Sequence, residues 1–177
     1  MLAADEETDP DATSALVALA VSRLCKGRRR PRLVAELVDR AKRAHLEDAG
    51  VDEIVCSTDL GLGVLAQAAI SPGMSLLYAD LLSYTEESPE LYTVEAECYP
   101  GEFVGKSFQE IASALNTHRH GPNPAILVGV RRGDEVYLNP RAERRAAVAR
   151  RFERLAEGDI LVVLAYSPPG LSGLSEG

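Results

Sequence analysis

The chain has 177 residues, room for one or two small domains, and 46% of them are apolar, enough for a packed core. Its formal net charge of −8 argues against nucleic acid as a partner and favours cations or a basic protein face. No run approaches the roughly 20 apolar residues of a membrane span, and no signal peptide is visible. Cys25, Cys56 and Cys98 are too far apart in sequence to give a disulfide framework or metal-ligand spacing, so reduced, cytoplasmic conditions are expected.

In chain order, Met1–Asp5 reads as a strand that ends in the acidic stretch DEETDPD. Thr8 or Asp9 can cap the helix that follows, with Pro10 in its first turn and Asp11 adding favourable charge. Leu16, Leu19, Ala20 and Leu24 recur at helical spacing, and Gly27 and Pro31 end the segment around GRRRPR. Next comes strand, helix, strand: apolar Leu33–Val38, amphipathic Arg40–Ala49 closed by Gly50, and Ile54–Cys56. Two strands joined by one such helix make a βαβ unit of a parallel sheet, with Cys56 as a small buried hydrophobe.

Thr58–Ser83 reads as two helices broken at Ser71-Pro72-Gly73. One stripe is Leu62, Leu65, Ala66, Ala69 and Ile70, and the other is Leu76, Leu77, Leu81 and Leu82. Both are unusually apolar for a surface hairpin, so either a partner subunit or the chain's own sheet must cover them. The expected partner is a second copy, with Leu62, Leu65, Ala69, Ile70, Leu77 and Leu81 at the dimer contact.

Residues 85–90 (TEESPE) mark a linker. Beyond it, Leu91–Cys98 alternates like a half-buried strand. Ser107 with Glu110 three residues on is a capping-box pattern. Ala125–Val130 and Glu135–Leu138 flank a tight turn at Arg132-Gly133-Asp134. Arg141–Leu155 reads as an arginine-rich helix, Ile160–Tyr166 as a last strand, and 167–177 as a disordered tail.

Three groups bear on chemistry. Gly61-Leu62-Gly63-Val64-Leu65-Ala66 fits the spelling of a dinucleotide loop, but no second βαβ unit follows it, so helix initiation by small residues is the other reading. Asp5, Glu6, Glu7, Asp9 and Asp11 cluster before a helix, and Glu36 lies towards the end of a nearby parallel strand. Hard cations take several carboxylate oxygens, which makes Asp5, Glu7 and Glu36 a candidate site for calcium or another divalent ion; a solvated, helix-capping loop is the alternative. No nucleophile–base pair, open metal site or matched acid–base pair marks an enzyme.

These pieces occur in a recognisable order. D-x-D precedes a helix, V-A-E follows a basic turn, and A-G-x-D-E-I-V leads to an L-A-Q-A-A helix with a Pro-Gly break. V-G-K-S-F, I-L-V-G-V-R-R-G, L-N-P and G-D-I-L-V-V-L-A complete it. Together, over about residues 2–166, they resemble the RCK (regulator of potassium conductance) domain of prokaryotic potassium channels and of Trk/Ktr uptake systems. The resemblance implies an α/β fold. Residues 1–84 would be the second half of a Rossmann-like N-lobe, a partial parallel sheet with crossover helices. A small α+β lobe of TrkA-C type would occupy 91–166 after the 85–90 linker. The family's first strands, with their G-x-G-x-x-G loop, and the pore are expected to lie outside this sequence, which makes a nucleotide an unexpected ligand here. In calcium-gated members an aspartate matching Asp5 and a glutamate matching Glu36 belong to the cation site, and a second glutamate stands where this chain has Val38. Some C-lobes bind a cyclic dinucleotide at their dimer interface, where Arg131 and Arg132 would hold phosphates; an Arg-Arg-Gly turn is equally good hairpin chemistry. The function implied is ligand-controlled gating by a homodimer or larger ring, or nucleotide-dependent regulation of uptake.

Overall fold

The structure is a computed structural model that describes residues 9–83, 85, 87–118, 123–140 and 152–172. The expected strand at Met1–Asp5 and residues 141–151 of the expected arginine-rich helix lie outside the described residues. The chain divides into two compact units, Met1–Ser75 and Leu76–Gly177.

In the first unit, α1 (Pro10–Leu24) starts where Asp9 turns its side chain back to accept from the Ala12 N–H. Proline at the first helical position loses nothing there, because that N–H has no intrahelical partner. β1 (Val34–Leu37) and β2 (Glu53–Cys56) pair in parallel, Val34 opposite Glu53 and Leu37 opposite Cys56. A 3-10 turn, Arg40–Lys42, and α2 (Arg43–Asp48) connect them. Gly50 closes α2 at φ +84°, a conformation that only glycine adopts without strain. Ala35, Leu37 and Leu46 form the small core, with Ala15, Val51 and Ile54 packed against it. The βαβ unit is therefore present as the sequence implies, and Cys56 is buried. α3 (Ser57–Ile70) follows without a gap. Gly73, at φ +91°, separates it from α4 (Met74–Leu81).

The second unit holds a four-stranded antiparallel sheet in the order β3-β6-β4-β5, built from Glu90–Val94, Ile126–Arg132, Glu135–Leu138 and Ile160–Ala165. α5 (Phe108–Thr117) supplies Phe108, Ile111 and Leu115 to the core, which also contains Phe103, Val130, Leu161 and Val163. The capping box at its start is complete: Ser107 accepts from the Glu110 N–H while the Glu110 carboxylate accepts from the Ser107 N–H. Gly129 lies so close to β5 that an added Cβ would sit 2.6 Å from the Tyr137 carbonyl oxygen. A parallel pair plus an antiparallel lobe makes the fold α/β in class, in line with the expected RCK-like arrangement.

Three expectations need correction. The strand expected over Leu91–Cys98 ends at Val94, because the Cys98 N–H turns back to the Glu95 carbonyl in a 3-10 turn. The arginine-rich helix does not reach Leu155. That residue's N–H and C=O bond to Lys106 and Gly105, while Phe152 packs on Tyr137. The tail expected to be disordered from 167 includes Leu171, which is buried and donates its N–H to the Cys98 carbonyl.

Candidate functional site

The parallel ladder of β1 ends at Leu37, so the backbone N–H groups of Val38 and Asp39 lie beyond it. Asp11, in the first turn of α1, accepts from both, at 2.9 and 2.8 Å, and is only 3% exposed. A carboxylate held by two amides clamps the helix start to the strand end. Asp9 accepts from Lys42 Nζ at 2.7 Å. That hydrogen bond, chiefly, lowers the Asp9 pKa and raises that of Lys42. Asp39 accepts from the Ala41 N–H at the start of the 3-10 turn. The described carboxylates on this edge therefore bind backbone amides and a lysine.

Of the expected cation ligands, Asp5 and Glu7 lie outside the described residues. Glu36 stands half-buried within β1, opposite Val55. Among the described residues no group of three or more His, Cys, Asp or Glu side chains is arranged to hold a metal ion.

Gly61 and Gly63 sit inside α3, which begins at Ser57. A phosphate loop needs its glycines ahead of the helix, where unpaired N–H groups are exposed. The spelling fits but the geometry is that of a helix interior.

Arg131 and Arg132 are at the end of β4. Arg132 reaches inward from there. Its Nε and one terminal nitrogen donate to the two Asp159 oxygens at 2.7 and 2.6 Å, and the same nitrogen donates to the Arg154 carbonyl. Asp159 is 1% exposed and also accepts from the Ala156 N–H. A bidentate pair of this kind fixes the planar guanidinium. The bond to Asp159 raises the Arg132 pKa further, keeping it charged. Tyr99 donates to the Asp159 backbone carbonyl, and burial above all raises its pKa. Arg132, Glu153, Arg154, Leu155 and Ala156 line an open hollow of about 400 Å³. Arg131 makes a longer bond, 3.3 Å, to the Gly133 carbonyl. It pairs with Val136 and Ile160 across the sheet and so shares a face with them. The sequence shows the two arginines, and shows Asp159 only within the G-D-I-L-V-V-L-A motif; its role depends on the sheet bringing positions 132 and 159 together.

The residues expected at a dimer contact lie on helices with no buried residue at all. Within α3, Leu65 is 67% and Ile70 78% exposed, and Leu62 and Ala69 are exposed too. Within α4, Leu77 is exposed and Leu81 half-buried. Among the described residues no helix is long and apolar enough to cross a membrane.

No family model matches the chain, and no curated protein does. Solved structures do. The chain is similar to the crystal structure of the GsuK RCK domain at 17% identity and a TM-score of 0.32, covering 92% of this chain and 29% of that one. It is similar to the GsuK channel bound to NAD at 20% identity and a TM-score of 0.33, covering 87% of this chain and 23% of that one. A further GsuK channel structure gives 18% identity and a TM-score of 0.34, over 92% of this chain and 24% of that one. The chain spans less than a third of the length of each of these neighbours.

Proposed function

We propose that the chain is a cytosolic, non-catalytic regulatory module of a potassium channel. Ligand binding and a rearrangement of paired copies would be coupled to potassium conductance through a pore supplied elsewhere. The observation that carries this reading is the pair α3 and α4: leucine-rich, separated by a Pro-Gly break, directly after a βαβ unit, and without a buried residue. Apolar helices left this bare call for a second copy. The order of elements also supports it, because βαβ, split helices and an antiparallel lobe are what the family resemblance implies. In this reading the lobes are residues 1–84 and 91–166, joined by 85–90. A ligand that binds one arrangement of paired lobes more tightly shifts the population towards it. Tenfold preference supplies only about 1.4 kcal/mol per site, so a sharp response needs several coupled copies.

The ligand would be a divalent cation near Glu36 or an anion at Arg131. Arg132 is held by Asp159 and braces the end of β4 beneath its neighbour. Calorimetric titration of the chain with calcium, magnesium, ATP, NADH and cyclic di-AMP, alongside sedimentation, tests the proposal. Heat with one ligand class and a dimeric species is expected. Heat confined to nucleotides would move the assignment to a Trk/Ktr uptake subunit. No heat with any of them would leave an assembly module and overturn ligand sensing.

A further inference from the structure

Past β6 the chain stays on the second unit. β6 ends at Ala165, opposite Glu90, the first residue of β3, and the chain then returns to Cys98, beyond the last residue of β3. Two clamps on the main chain hold it there. The Asn123 side-chain amide donates to the Ser167 carbonyl at 2.8 Å, and the Leu171 N–H donates to the Cys98 carbonyl at 3.0 Å. Between the clamps, Pro168 and Gly170 are exposed and Pro169 is half-buried. Leu171 alone in this segment is buried, at 4% exposure, and it joins the cluster that contains Tyr99, Phe103 and Ile111. A docked peptide is held in the same way: main-chain groups bonded at fixed points, an apolar anchor in a pocket, and prolines that pre-set an extended backbone.

The segment is weakly held for its length. Burial of one leucine favours docking, while fixing the backbone of residues 167–171 opposes it; the two prolines reduce that cost because their φ is set already. The opposing contributions are of similar size, so docked and released forms lie close in free energy. Asn123 adds a bias towards release. Its Oδ1 is buried without a hydrogen-bond partner among the described residues, a cost relieved once the side chain is free to turn towards water. We propose that the second unit carries a peptide-docking site, occupied by the chain's own residues 167–171, whose ligand class is an extended, proline-containing peptide with a leucine anchor. The attached segment is then a built-in competitor. A peptide of that class from another protein gains the site only in the released fraction of molecules, so its apparent affinity is lowered by that fraction. None of this depends on what α3 and α4 touch.

The test uses the full chain. In native-state hydrogen exchange the Leu171 N–H should exchange at least about tenfold faster than the amides bonded across β4 and β6, through an opening short of global unfolding. Leu171→Asp should empty the pocket while the circular-dichroism spectrum and cooperative unfolding are retained. A fluorescein-labelled peptide with the sequence of residues 167–173, followed by anisotropy, should bind that variant at least about tenfold more tightly than the parent, whose site is filled. The same peptide with serine in place of its leucine should bind neither chain. Asn123→Ala removes one clamp and leaves the leucine pocket, so it should speed Leu171 exchange without altering that of β4 and β6. A Leu171 amide that exchanges only with global unfolding, a Leu171→Asp chain that fails to fold, or a folded one that takes up the peptide no better than the parent, overturns the inference.

Discussion

Arg132 illustrates how a neighbour decides what a charged side chain can do. Removing it leaves the Asp159 carboxylate buried with only the Ala156 amide among the contacts described above. Breaking a buried pair costs several kcal/mol, but the Arg132 side chain is 41% exposed, so water recovers part of the loss. Arg132→Ala is expected to destabilise the second unit by about 2–3 kcal/mol in chemical denaturation. Arg132→Met with Asp159→Leu should recover most of that, because the second change removes the stranded charge. An Arg132→Ala variant as stable as the parent would mean the pair is ornamental. Arg131, with its single longer bond, should behave differently: Arg131→Ala is expected to leave stability nearly unchanged and to weaken binding of an anionic ligand. The sequence shows two adjacent arginines as equals. They differ because alternate strand positions face opposite ways and only one of those faces holds Asp159.

Elements were legible in the sequence wherever their determinants are local. The Ser107–Glu110 box, the Pro10 start of α1 and the Gly50 stop lie within a turn of the structure they dictate, and each is found as expected. Elements fixed by distant partners were not legible. The end of β3 is a local 3-10 turn that the alternation of Leu91–Cys98 hides, whereas the loop at Leu155 and the docking of Leu171 depend on backbone bonds to residues far along the chain. The Asp11 clamp is of the same kind, joining residues 27 and 28 positions apart. Two predictions belong at this scale. Gly63 lies in a helix interior, at ordinary φ, with open space where a Cβ would go. Gly63→Ala should therefore stabilise the chain by about 0.5–1 kcal/mol in thermal or denaturant unfolding. A destabilised variant would mean that something packs there. The second concerns pH. Hydrogen bonds from Ser107, side chain first, lower the Glu110 pKa below its ordinary 4.5. A folded pKa below the unfolded one gives stability that is fully present above the unfolded value and is lost as pH falls through the folded value. The stability gap between the parent and Glu110→Ala should therefore be constant near neutrality and close as pH drops below the usual carboxylate range. A gap that persists in strong acid would assign the effect to packing.

At the scale of the whole molecule, the question is what one chain can hold on its own. α3 and α4 carry leucines with nothing buried. A two-fold contact through them would cover those leucines on both copies at once, because an isologous interface uses the same patch twice. The net charge of −8 per copy opposes association beyond what such a patch supports. Light scattering should give a dimer for the parent chain, and Leu65→Asp with Leu77→Asp should give a monomer with its helical signal intact. A parent chain that stays monomeric at every concentration, or a double variant that assembles as the parent does, would leave those leucines to another partner and remove the physical basis for a response that couples two copies.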